Sequence, residues 1–233
     1  MEEVVLYADL ISEPCRSLIA FCRLSSIPFR HAEISLVDKE FLSESFTLIN
    51  PLQKIPFLVH GDFKLSESAA ILMYLAEVFN VDNQWLPRDL RVRSKISSYL
   101  HWHHIGFRHK IDEYLQPKAI WPVIFDMHYL NPEWEKWLII GVNGALSDLT
   151  LILKETGYVG KTSEPSIADI FAYSQLTVLP MINMGIEEYP EIKEWKEKIE
   201  KIEVVQEAHE KFRGWLAGML VKIAAYEGGK WEN

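Results

Sequence analysis

The first eighty residues alternate short apolar runs with segments of helical periodicity. Val4 to Ala8 reads as a buried strand and Asp9 to Glu13 as a polar loop. Pro14 stands at a favourable first helical position before a helix over Cys15 to Leu24. Phe29 to Glu33 predicts a second strand and Lys39 to Leu48 a short amphipathic helix. Phe57 to His60 predicts a third strand, turned by Gly61-Asp62 into a fourth, and the spacing of Ala69, Leu72, Met73, Leu75 and Ala76 predicts a helix over Glu67 to Phe79. Around Asn80 to Arg88 the periodicity stops at Asp82, Asn83 and Pro87. Beyond it the pattern is helical throughout. Leu90 to Gln116 reads as one long helix weakened at Gly106, followed by Pro132 to Thr156, a helix opened by Ser166-Ile167-Ala168-Asp169, then Pro190 to Ile202 and Val205 to Tyr226.

This order, βαβ-α-ββα and then helices only, is an α+β fold: a thioredoxin-like domain over residues 1–80, a linker over 81–90 and an all-helical bundle over 91–233. In a thioredoxin-like fold the first loop-to-helix turn carries C-x-x-C. Here the tetrad is Ser12-Glu13-Pro14-Cys15, so a hydroxyl stands where the first thiol would be.

The segment N-P-L-Q-K-I-P-F-L-V, Asn50 to Val59, places proline at the start of a strand, which predicts a cis Ile55-Pro56 bond. The N–H and C=O of Ile55 would then face outward, where an extended peptide could add as a further strand. Glu67 and Ser68 fall at a predicted helix N-terminus, where free N–H groups favour a carboxylate. Ser68 suits the carboxylate of a γ-glutamyl group and Glu67 its ammonium. A plain helix cap by Ser66 or Ser68 is the competing reading.

These residues resemble a known family. L-Y-x-D-L-x-S-x-P-C-R at Leu6 to Arg16, N-P-L-x-K-I-P at Asn50 to Pro56, S-E-S-x-A-I-L-x-Y-L at Ser66 to Leu75 and the stretch Leu100 to Arg108 are similar to the cytosolic glutathione transferases, theta class. The resemblance implies that glutathione is the co-substrate and that Ser12 activates its thiol. It further implies that Lys54 and Ile55 meet the glycyl and cysteinyl parts, and that Glu67 and Ser68 hold the γ-glutamyl end. Arg108 aligns with an arginine placed near the thiol, and a solvent-facing arginine is the alternative. Trp102, Phe107, Trp121 and Phe125 fall where the helical domain faces the glutathione site, as a pocket for a hydrophobic electrophile or as bundle core. Phe41 replaces a histidine of the theta pattern, which shifts the glycine-end contact toward Lys54. A homodimer is implied as well.

A net charge of −9, from 24 basic and 33 acidic residues without a basic block, argues against a nucleic-acid or anionic-membrane surface. The acidic start Met1-Glu2-Glu3 and the lack of an uninterrupted apolar run near eighteen residues predict a cytoplasmic protein. Cys15 and Cys22 lie roughly 10 Å apart along one helix, beyond disulfide reach. His101, His103, His104 and His109 lack any H-E-x-x-H pattern or cysteine ligand, so no metal is expected. Two other functions stay open: a thiol oxidoreductase working through Cys15, and a non-catalytic ligand-binding module on the same fold.

Overall fold

The computed structural model describes residues 2–228. Residues 229–233 of the expected helical span lie outside the described residues. A four-stranded sheet has the order β2-β1-β3-β4. Its strands are β1 (Val4–Ala8), β2 (Arg30–Glu33), β3 (Phe57–His60) and β4 (Phe63–Leu65). β1 runs parallel to β2 and antiparallel to β3, in a register that sets Tyr7 opposite both Ala32 and Phe57. Helices α1 (Glu13–Leu24) and α3 (Ser68–Val78) pack on each other. The expected helix over Lys39 to Leu48 is instead a 3₁₀ turn at Glu40–Leu42 followed by α2 (Glu44–Ile49). Ser43 causes the break: its extended backbone ends the turn, and its hydroxyl accepts the N–H of Phe46 at 3.2 Å, capping α2.

The long helix expected over Leu90 to Gln116 also departs from prediction. α4 (Leu90–Trp102) runs into a π segment at His103–Arg108, then α5 (His109–Leu115), a second π segment at Gln116–Ile120 and α6 (Trp121–Phe125). Pro117 and Pro122 cannot donate to an α-helical ladder, which accounts for the second interruption. Near the first, Gly106 leaves room for the Trp102 indole to lie against the helix, where any Cβ would collide with it.

α7 (Pro132–Thr156) matches the predicted bounds. By length and composition it could cross a membrane, but Leu138, Val142, Ala145, Leu146, Leu149 and Leu153 form a buried stripe along it, the pattern of a core helix. α8 (Ile167–Leu176) is buried along its whole length and packs against α1, joining the two halves. α9 (Pro190–Glu200) follows, and the single helix expected over Val205 to Tyr226 is instead α10 (Glu203–Ala208) and α11 (Glu210–Gly228), parted at His209. One apolar core runs through both halves, from Leu6, Phe21 and Leu58 to Val142, Phe171 and Ile192.

Candidate active site at the junction of sheet and bundle

Ser12 is the N-cap residue of α1, half-buried, with an extended backbone (φ −75°, ψ 130°) and a side chain that makes no capping bond. Its hydroxyl caps no backbone N–H and lies instead by the Cys15 thiol one turn on. The loop before it is fixed by Arg16, whose guanidinium donates to the carbonyls of Leu10 (3.2 Å) and Ile11 (2.6 Å). The same guanidinium donates to Ser174 O (3.0 Å) and Thr177 Oγ1 (3.1 Å) of the bundle.

A cavity of about 710 Å³ opens beside this turn. Its wall includes Glu13, Lys54, Ile55, Glu67, Ser68 and Arg108, so five of the residues singled out from sequence meet at one place. Ser12 sits immediately before that wall, which begins at Glu13 and Pro14. The Ile55-Pro56 bond is cis. β3 begins to pair with β1 at Phe57, which leaves Ile55 beyond the end of the ladder. Asn50, buried, braces the preceding loop: its amide donates to Lys54 O at 2.8 Å and its Oδ1 accepts from Leu52 N at 3.1 Å. Glu67, the N-cap of α3, has φ +69°, a conformation an L-residue holds only when its surroundings enforce it, and its exposed carboxylate makes no cap bond. Placed at the head of α3, an acidic side chain free of capping can meet an ammonium while the N–H groups of the first turn receive a carboxylate.

The aromatic residues are arranged otherwise. Phe107 is fully buried and stacks on Trp102 (6.1 Å between centroids), so it belongs to the core. Trp102 folds back over Gly106. Trp121 meets Tyr129 edge-on at 6.4 Å, and exposed Phe125 lies under the Lys39 ammonium. None of the four is in the cavity wall, where Leu52, Met73, Leu100, Ile105 and Phe171 supply the apolar surface instead. Phe107 and Trp102 are drawn to the bundle core, as aromatic side chains at helical spacing usually are, whereas Trp121 and Phe125 lie on α6, outside the cavity wall.

Of the histidines, His101 and His104 are exposed in the cavity wall, His109 faces Glu113 at 3.4 Å, and His103 is buried. Among the described residues no group of three or more potential ligands could hold a metal. Cys15, beneath Ser12, is fully buried, and burial pushes its thiol up to about 12 despite the Ser12 hydroxyl. A thiol so held is not a nucleophile at neutral pH.

Sequence reading passed over Glu13. Expected as the last residue of a polar loop, it is instead the first residue of α1, and the fold buries it, with Arg108 Nε at 3.1 Å and His103 Nε2 at 3.5 Å. Burial alone would raise its pKa; His103, Arg108 and Arg16 outweigh that and hold it below the usual value. Burial likewise works against the Arg108 cation, and Glu13 and Asp112 more than offset it.

A four-stranded mixed sheet with a cis-proline turn, and a cleft where it meets an attached helical bundle, define a two-part protein of thioredoxin-like fold. Comparison with known proteins sharpens this. Residues 6–83 match the family model described as glutathione S-transferase, N-terminal domain. Human glutathione S-transferase theta-1 is 32% identical over 216 residues, covering 88% of this chain and 87% of the relative. Glutathione S-transferase T1 of Arabidopsis thaliana is 37% identical over 186 residues, 78% and 75% of the two chains. Among solved structures, apo human glutathione S-transferase T1-1 superposes with a TM-score of 0.83 at 28% identity, covering 93% of this chain and 99% of that one. Human glutathione transferase theta-2, in complex with glutathione and an unknown ligand, gives 0.83 at 27% identity over 95% and 98%. The chain belongs to the glutathione S-transferase family and is theta-class-like within it. It is a glutathione transferase, with glutathione as co-substrate and an electrophile as the second substrate.

Proposed function

We propose that Ser12 stabilises the glutathione thiolate and that Arg108 adds positive charge from the bundle side of the cavity. The observation that carries this reading is the Ser12 hydroxyl, at the head of α1, free of capping and next to the wall that holds Lys54, Ile55, Glu67, Ser68 and Arg108. Glutathione lies as an added strand along Ile55, with its γ-glutamyl end at Glu67 and Ser68 and its glycyl end at Lys54. A free thiol with a pKa near 8.5 is only a few per cent ionised at pH 7. A hydroxyl hydrogen bond and the α1 dipole together lower that pKa by about two units, about 2.7 kcal/mol. Because nucleophilicity falls with basicity, much of the acceleration comes from holding thiolate and electrophile together.

The second substrate is a hydrophobic electrophile: a halide, an epoxide, an activated alkene or an organic hydroperoxide. It docks against Ile105, Leu100, Met73 and Phe171, rather than among Trp102, Phe107, Trp121 and Phe125, because the former line the cavity and the latter do not. The enzyme acts in the cytoplasm as a homodimer, with residues 1–80 binding glutathione, 81–90 as linker and 91–233 shaping the electrophile pocket.

Turnover with a panel of these electrophiles tests the assignment. Ser12→Ala is expected to lower kcat by about tenfold to a thousandfold while glutathione affinity changes little, the pattern of a contact made mainly to developing charge. Cys15→Ser should retain most activity. An inactive Cys15→Ser beside an active Ser12→Ala would instead establish the cysteine oxidoreductase.

A further inference from the structure

Glu13 poses a problem of charge. It follows Ser12 directly, and an anion so close to a thiolate opposes the ionisation that Ser12 promotes; the buried Cys15 thiol already feels it in that sense. A carboxylate with 5% of its side chain exposed costs much to bury, and its neighbours must account for it. Two of them come from the bundle, the Arg108 guanidinium and the His103 imidazole.

In an uninterrupted α-helix, residues five apart point about 140° away from each other, and His103 and Arg108 could not both face one carboxylate. The π segment His103–Arg108 changes this, because i→i+5 bonding brings residues five apart onto one face. Behind His103 the Tyr99 hydroxyl, able to donate or accept, lies 3.4 Å from Nδ1, and the Glu13 carboxylate, an acceptor only, calls for the proton on Nε2, 3.5 Å away. Behind Arg108 stands Asp112 at 3.3 Å, itself an acceptor for Gln175 at 3.3 Å. The guanidinium is thus held between two carboxylates, with about a third of its side chain open to the cavity.

We infer that Glu13 is a positioning residue for the transferase reaction: it holds the Arg108 guanidinium at the cavity wall beside the thiol of glutathione, across the junction between the thioredoxin-like half and the bundle. The carboxylate neutralises part of that charge in exchange for fixing where the rest is presented. Glu13 itself touches no reacting atom. The inference rests on the reading of Arg108 given above, and the two are separable by experiment.

The test is a double-mutant cycle on Glu13→Gln and Arg108→Ala, scored by kcat, glutathione KM and melting temperature. Glu13→Gln keeps the shape and loses the charge; kcat should fall about tenfold with glutathione KM within about twofold. In the Arg108→Ala background the same change should cost less than about twofold, since its target is already gone. An equal loss of kcat in both backgrounds, or a loss confined to melting temperature, overturns the inference while leaving the role of Arg108 standing. Wild-type kcat in Arg108→Ala removes the reading of Arg108, and the inference with it. Should Glu13→Gln melt below the assay temperature, Glu13→Asp carries the same test: it keeps the charge but draws it back from Arg108, and the same dependence on background is expected.

Discussion

Ser12 and Cys15 lie one helical turn apart at the two ends of what would be a redox C-x-x-C, with a hydroxyl in place of the first thiol. The hydroxyl is half-buried at the helix head and makes no cap bond, and the thiol is sealed beside it. That replacement was legible in sequence, because it depends only on residue type and position. Glu13 was not, because pattern alone shows an acid at the end of a polar loop and nothing of the bundle that closes over it. His209 is another such case. Its Nδ1–H donates to Val205 O at 2.7 Å, its Nε2 has no partner, and burial, helped by the nearby Arg16 and Arg213 charges, depresses its pKa to about 3. In the unfolded chain that pKa is about 6.5, so below pH 6.5 the unfolded state takes up a proton that the folded state refuses. Stability contributed by neutral His209 is present above pH 6.5 and lost as the pH falls toward 3. Urea unfolding at pH 8 and pH 5 should show about 2 kcal/mol of this loss, and His209→Gln should lessen the difference between the two pH values by that amount.

Among elements, strands and most helix starts followed from periodicity and caps, whereas the interruptions at Ser43, at the two π segments and at His209 did not. Hydrophobic spacing is nearly continuous through Leu90 to Phe125, and the extra residue in a π turn leaves little mark on it. The opening of α8 shows the opposite case. Ser166 and Asp169 were readable as a capping pair, and Asp169 Oδ2 indeed accepts Ser166 N at 2.8 Å and Ser166 Oγ at 2.9 Å. What sequence did not show is that Asp169 Oδ1 also accepts Val159 N and Trp195 Nε1, both at 2.9 Å, pinning α9 and the loop after α7 to the head of α8. Asp169→Ala leaves these donors buried without an acceptor and should cost about 3 kcal/mol or more, with Asp169→Asn less severe. The midpoint of urea unfolding measures both, and an unchanged slope would show that the folded state keeps its extent.

At the scale of the whole molecule, the two halves are joined by polar side chains as well as by apolar contact. Lys211 of α11 pairs with Asp9 at 2.9 Å and with Glu33 of β2. Arg16 spans the junction more deeply. Fully buried, it donates to the loop before Ser12 and to the end of α8, and its guanidinium lies 3.8 Å over the Phe212 ring. A lysine has no planar fork to serve acceptors on both sides, so Arg16→Lys should destabilise by about 2–4 kcal/mol and lower turnover by loosening the loop that carries Ser12. Denaturation midpoints and kcat, compared with those of Ser12→Ala, check this. The arginine was in plain sight in the P-C-R step, but partners 158 and 161 residues away are not legible in a local pattern.

Those same distances bear on how the chain is made. The first eighty residues leave the ribosome carrying a cation destined for the interior, while Ser174, Thr177 and Phe212, which will receive it, are still untranslated. At ordinary synthesis rates the wait is on the order of ten seconds. Until then Arg16 keeps its water, and the loop bearing Ser12 has no bundle to close against. The loop bearing Ser12 therefore gains its last Arg16 acceptors only after α8 arrives, and a chain stalled after α7 would lack both these and Phe171 of the cavity wall.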